Sequence, residues 1–179
     1  IQILIFGWIF ASFLQGVAGY GVPIAVVAPL LVSLGFSPVV AVAVSAIGHS
    51  WSVTFGSMGA SFQTLIAVTG YDYAYLAPWS AALLGIAAFL CGICCVHVFG
   101  GWRMVKHSFV AILIIGIAMS GTQYILAVSG MWTLGGFGAS LVGLLSGLLV
   151  AKFKMYNQAP PSQATSEMSL WWALSAYFI

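Results

Sequence analysis

Charge is what this sequence has least of: 4 Lys and Arg and 2 Asp and Glu in 179 residues, 3% of the chain. A soluble domain carries about 25% charged residues, because its surface must be solvated. So few charges cannot cover an 18.8 kDa globule, which excludes a water-soluble enzyme or a nucleic-acid-binding module. The solvent for most of this surface is lipid, in line with 63% hydrophobic residues and a mean hydropathy of +1.15. The net charge of +2 makes no field that would select a partner. Cysteine is scarce as well, at 3 residues. Cys91, Cys94 and Cys95, followed by His97, all fall in one apolar stretch, whereas zinc needs four well-placed ligands. They read as small buried hydrophobes, with no metal site and no disulfide framework implied. The basic start and small-residue cleavage site of a secretory signal are both missing. Ile1 opens directly in an apolar run and Ile179 stops inside another, so the chain reads as a fragment of a longer membrane protein.

What the sequence has is long apolar runs. A membrane-spanning helix needs about 20 apolar residues, and three segments meet or approach this: 75–99, 109–128 and 135–151. Arg103 and Lys106 lie between the first two, and Lys152 and Lys154 follow the third, while 129–134 has no basic residue. The positive-inside rule then predicts loops 100–108 and 152–167 in the cytoplasm, with Asp72 and Trp132 at the outer surface. The small-residue series Gly135, Ala139, Gly143, Gly147 and Ala81, Gly85, Ala88, Gly92 predict faces along which helix backbones approach closely. A stretch at 155–167, rich in Pro, Ser, Gln and Thr, reads as a cytoplasmic linker, and 168–179 as the start of a further, truncated helix.

The first 70 residues behave differently. Residues 39–69 would make a straight helix of about 46 Å, too long for one crossing and too short for two. Their middle, from Gly48 to Gly59, is a poor helix interior, and 1–34 repeats the plan around Gln15 to Pro23. Irregular backbone at membrane depth is tolerated only where it is buried in protein or lines a wet cavity, and paired broken segments point to a transporter's binding site. The fold class expected is therefore an all-α polytopic membrane bundle over 1–154. Its two broken segments, 1–34 and 39–69, are either kinked spans or re-entrant hairpins, within an inverted-repeat secondary transporter.

Pro23 suits the first turn of a new half-helix, whose unpaired amides and positive dipole end would face an anion, above all a carboxylate. No Lys or Arg lies near either break, so backbone amides and uncharged side chains must supply the attraction. The candidate binding residues are Gln15, Gly16, Gly19, Tyr20, Gly21, Pro23, Ser50, Ser52, Thr54, Gly56, Ser57 and Gly59. Hydroxyls there suit a small solute bearing both hydroxyl and carboxylate, although in membrane helices they also satisfy backbone carbonyls. His49 is the one ionisable side chain deep in this region and the candidate for proton coupling, against a neutral histidine bonded to a neighbouring helix. Gly19-Tyr20-Gly21 matches the tripeptide of potassium-channel filters, but Val17-Ala18 before it and Val22-Pro23 after it are the wrong context.

Three ordered blocks, Phe13-Leu14-Gln15-Gly16-Val17-Ala18-Gly19-Tyr20-Gly21-Val22-Pro23-Ile24-Ala25-Val26, Leu34-Gly35-Phe36-Ser37-Pro38 and Phe55-Gly56-Ser57-Met58-Gly59, resemble the amino-terminal half of the L-lactate permease family. Beyond Tyr71 the resemblance is one of hydropathy. It implies a multi-pass carrier in the cytoplasmic membrane of a prokaryote, taking up L-lactate or related 2-hydroxy monocarboxylates such as glycolate with protons, and using no cofactor. The family's Gly-rich block falls on Gly16, Gly19, Gly21 and Pro23, and its second block on Phe55, Gly56, Met58 and Gly59. Members often carry Glu at the position of Gln15, and Gln can hydrogen-bond but not titrate. The competing readings are a carrier for a different small organic anion, an ion channel using the Gly19-Tyr20-Gly21 backbone, and a structural subunit. An enzyme fits worst, since the deep segments hold no carboxylate pair and no nucleophile beside a base.

Overall fold

The computed structural model describes residues 1–19 and 21–152, and all regular structure among them is helical. The first helix, α1 (Ile3–Ala18), is wound as a π-helix over Ile3–Phe10 and as an α-helix over Ala11–Ala18. It stops at Gly19, with φ 82°, and Gly21 follows with φ 102°. Only glycine takes such values without steric cost, which lets the chain reverse within three residues. Then α2 (Val22–Ser33) begins, with Pro23 in its first turn, where a missing amide hydrogen breaks no bond. Gly7 of α1 lies against Leu31 of α2, so the two helices run antiparallel as a hairpin.

Helix α3 (Pro38–His49) is capped by Ser37, whose hydroxyl accepts from the Val40 amide at 3.4 Å. The chain continues through a 3-10 turn at Ser50–Ser52, an irregular stretch at 53–56 and a second 3-10 turn at Ser57–Gly59 before α4 (Ala60–Thr69). The long helix α5 (Tyr73–Val128) starts on Asp72, whose carboxylate accepts from the Ala74 amide at 3.0 Å. It breaks at Gly100 and Gly101, the latter with φ 66°, into two arms that fold back on each other, bringing Gly85 to Ser120 and Gly116 to Phe89. Residues 102–108, expected as part of a loop, are the first turns of the second arm. Two glycines suffice for the reversal, so Arg103, Lys106 and His107 sit on a helix. After a 3-10 turn at Trp132–Leu134, α6 (Gly135–Ala151) runs back toward Gly100, and Lys152 follows it.

Contacts along α5 show that the two broken segments differ in kind. Val44 and Ser50 lie beside Cys95 and Cys91, and Phe62 packs with Ala77 and Ala81. From α3 to α4 the chain therefore climbs antiparallel to the first arm, as one interrupted crossing. In contrast, Phe36 beyond α2 meets Phe99 edge to face, with ring centroids 5.3 Å apart. The α1–α2 pair thus enters and leaves at the Gly100 end, as a re-entrant hairpin. Three apolar stretches are long enough to cross a bilayer: Pro38–Thr69, Tyr73–Val128, itself folded in two, and Trp132–Ala151. The molecule is an all-helical polytopic membrane protein.

Small residues let these helices meet at backbone distance. A Cβ on Gly48 would strike the Gly7 carbonyl and lie 2.9 Å from Trp8 Cα, which marks the crossing of α3 with α1. Ser12 Oγ accepts there from Trp51 Nε1 at 2.8 Å and has the carbonyls of Trp8, at 2.7 Å, and Gly48, at 3.0 Å, to donate to. Gly92 faces the Trp8 ring, while Gly143 faces Met119 and Ile9, and Gly147 faces Ile9. Both small-residue series are buried contact faces. The linker at 155–167, the helix expected at 168–179 and the side chain of Tyr20 lie outside the described residues.

Candidate functional site

The end of α1, the second break and the start of α6 meet in one place. A Cβ on Gly19 would lie 2.6 Å from Ser57 Oγ, and one on Gly56 would lie 2.7 Å from the Ser52 carbonyl and 2.9 Å from Gln15 Nε2. One on Gly16 would lie 2.8 Å from both N and Cα of Phe137, and the Gly136 amide donates to the Phe55 carbonyl at 3.2 Å. Backbone therefore rests on backbone at this junction, which lies nearer the Asp72 and Trp132 end of the bundle than the Gly100 end. Ser57 and Met58 hold φ of 49° and 53°. Each such non-glycine residue costs roughly 1–2 kcal/mol, a strain that surrounding contacts must hold in place.

Gln15 is the polar side chain at the centre. It is fully buried, and neither its Nε2 nor its Oε1 has a hydrogen-bond partner among the described residues. Leaving a buried amide unpaired costs about 1–3 kcal/mol, so a group of this kind is expected to serve a ligand, water or a second conformation. The hydroxyls are less available than the sequence suggests. Ser52 donates to the His49 carbonyl at 3.0 Å, and Ser50 to that of Ile47 at 2.7 Å.

Of the twelve candidates, Gln15, Gly16, Gly19, Ser52, Gly56 and Ser57 come together, with Thr54 adjoining them in sequence. Gly59 adjoins the junction and faces the Trp132 ring. Ser50 does not belong to it: it is exposed, donates to the Ile47 carbonyl at 2.7 Å and sits 3.6 Å from Cys91 Sγ. Gly21 is exposed at the hairpin tip with open space where a Cβ would be, and Pro23 is buried behind it. His49 is buried, and its Nδ1 lies 2.6 Å from the Ser45 carbonyl. That contact requires the proton on Nδ1, which makes Nε2 an acceptor in the neutral ring. Of the cysteines, Cys95 is buried but Cys94 is exposed, so small apolar bulk rather than burial is what they share.

Sequence reasoning passed over the contribution of α6. Gly135 was legible only as a member of a packing face and Gly136 not at all, yet Phe55 rests on both. It also passed over Gln123 in the second arm of α5, fully buried with both amide atoms unpaired among the described residues. A lone polar residue within an apolar span was the signal available.

The family described as L-lactate permease matches residues 1–170. An L-lactate permease of Salmonella typhimurium is 34% identical over 125 residues, 70% of this chain and 23% of that protein. The glycolate permease GlcA of Escherichia coli is 32% identical over 124 residues, covering 69% of this chain and 22% of the relative. An L-lactate permease of Bacillus subtilis is 29% identical over 125 residues, with 70% and 22% covered. The matched stretch thus spans less than a quarter of the length of these relatives. No solved structure matches it. With two ordered backbone breaks, a polytopic helical bundle and a family match over nearly its whole length, the chain belongs to the L-lactate permease family.

Proposed function

We propose that this chain forms part of a secondary carrier that takes up L-lactate, or a close 2-hydroxy monocarboxylate such as glycolate, together with a proton. The observation that carries this is the junction itself: a re-entrant hairpin tip, an interrupted crossing and a helix start converge on Gln15, whose amide has no partner among the described residues. The relatives named for lactate and glycolate transport support the substrate class. The amino-terminal end of α2 lies at the hairpin tip, where its positive dipole end favours a carboxylate. With Arg103, Lys106 and Lys152 all toward the Gly100 end, the positive-inside rule puts that end in the cytoplasm of the producing cell. The hairpin then enters from inside and the junction lies nearer the outer face.

Transport follows as alternating access, with the hairpin and the interrupted crossing moving against the straight helices around the bound anion. A proton accompanying the monoanion removes the cost of carrying net charge through lipid, and His49 Nε2 is the candidate carrier. The test is uptake of labelled lactate and glycolate by the full-length protein in liposomes. Saturable uptake, accelerated by an inward proton gradient, is the expected result. A potassium current that does not saturate and ignores lactate would overturn it in favour of the channel reading.

A further inference from the structure

Gln123 stands in the half of the chain that otherwise consists of plain apolar spans. Its side chain is fully buried. Among the described residues, the buried side-chain nitrogens and oxygens without a partner are Trp8 Nε1 and the amides of Gln15 and Gln123. The buried serines nearby are already engaged: Ser12 and Ser52 as described above, and Ser140 on the Gly136 carbonyl at 2.8 Å. Besides the Trp8 indole, which can only donate, two amides carry both unpaired donors and unpaired acceptors among the described residues.

Helix register brings them to one level. A Cβ on Gly143 of α6 would lie 2.7 Å from Met119 Cγ and 3.0 Å from Ile9 Cγ2, so α1 and the second arm of α5 converge there on the same face of α6. Toward the junction the contacts continue, with Leu126 beside Gly138 and Gly16 beside Phe137. Gln123 is four residues beyond Met119 and Gln15 six beyond Ile9, at about 1.5 Å rise per residue, which puts the two amides within about one helical turn of each other along the bundle.

We propose that Gln123 is a specificity-determining residue, which together with Gln15 recognises the paired carboxylate and α-hydroxyl of the substrate. This rests on the hydroxy-acid reading above and deepens it. An ionised carboxylate can only accept hydrogen bonds, and the amide NH2 groups serve it. An amide oxygen needs a donor, and the α-hydroxyl of a 2-hydroxy acid supplies one, to Gln123 Oε1, that a plain fatty acid lacks. A site built to bond a hydroxyl rejects the analogue without one, because its own polar atoms are then left unpaired. The short-chain analogue propionate matches lactate in carbon skeleton and differs in that one group.

The experiment compares the full-length wild-type protein with Q123M, which keeps side-chain length and removes the amide. Lactate uptake in proteoliposomes is measured with propionate as competitor, and the thermal midpoint of both proteins is recorded. The preference for lactate over propionate is expected to fall at least tenfold in Q123M, with the thermal midpoint unchanged or raised, since an unpaired buried amide has been removed. A preference that stays as in wild type, or a lowered midpoint, overturns the role of Gln123, the latter because it would mark the amide as structural. If wild type takes up neither lactate nor glycolate, the carrier reading itself fails, an outcome separate from a transporting wild type whose preference survives Q123M.

Discussion

Residues 1–70 and 73–151 are equally apolar in purpose and opposite in construction. The second region is three straight helical stretches joined by a two-glycine reversal at Gly100 and Gly101 and a 3-10 turn at Trp132–Leu134. Its glycines face side chains such as Ser120, Phe89 and Met119, which can give way by small movements. The first region is broken twice, and the glycines at its closest crossings face backbone: Gly48 meets Gly7 and Trp8, Gly16 meets Phe137, and Gly56 meets the carbonyls of Ser52 and Gln15. In the second region Gly136 meets backbone only at this same irregular stretch, at Phe55. In lipid, where apolar surface gives helices no reason to associate, close packing and hydrogen bonds hold a bundle together. The contrast teaches that rigid backbone contact is concentrated where the chain is irregular, because an irregular segment must have its polar groups satisfied by a surrounding that cannot shift.

That contrast can be broken at its strongest point with Gly48→Val. The new side chain meets the Gly7 carbonyl and Trp8 Cα, and the expected loss of about 3 kcal/mol or more should leave little monodisperse protein in detergent extracts. Recovery of normal yield would show that α1 and α3 separate without cost. Next in size is Gln15→Leu, which removes an unpaired amide from the junction. Saturable lactate uptake should disappear while the thermal midpoint holds or rises by a few degrees, and unaffected uptake would remove Gln15 from the site. In His49→Gln, the stimulation of uptake by an inward proton gradient should vanish while lactate exchange across the membrane persists. An unchanged gradient response assigns the proton elsewhere. Gly85→Ala tests the straight region: its Cβ would lie 3.2 Å from Ser120 Cβ, and a destabilisation of under about 1 kcal/mol with normal uptake is expected. Smallest is Gly121→Ala, at an exposed helical position with open space around the new methyl group, which should stabilise by about 0.5–1 kcal/mol and leave transport untouched.

Much of the architecture is legible in the residues. The near-absence of charge dictates lipid as solvent, and glycine recurrence at three and four positions marks contact faces that prove buried, as Gly92 under Trp8 and Gly143 under Ile9 and Met119 show. The clustering of Gly, Pro and Ser around 15–23 and 48–59 marks the breaks. Other features are silent in one dimension. A run of Gly, Ser and Thr can place a hydroxyl in a site or tie it to the carbonyl one turn back, and Ser50 and Ser52 do the latter. Ser50 is separated from the junction because it follows α3 by one residue and faces Cys91 of α5, a neighbour 41 positions away. Gln123 shows the same limit, since an amide in an apolar span is unremarkable until its lack of partners is visible in three dimensions.

The sequence by itself determined the medium, the helical class and the positions of the two breaks, because each follows from local composition and spacing, and its three ordered motif blocks carried the resemblance to the family. Only the tertiary structure decided that the first break turns the chain back while the second lets it pass through, and that both close against the start of α6. A glycine pair permits either outcome locally. The choice belongs to the partners that each half-helix finds, Leu31 returning beside Gly7 in the one case and Phe62 continuing to Ala77 and Ala81 in the other.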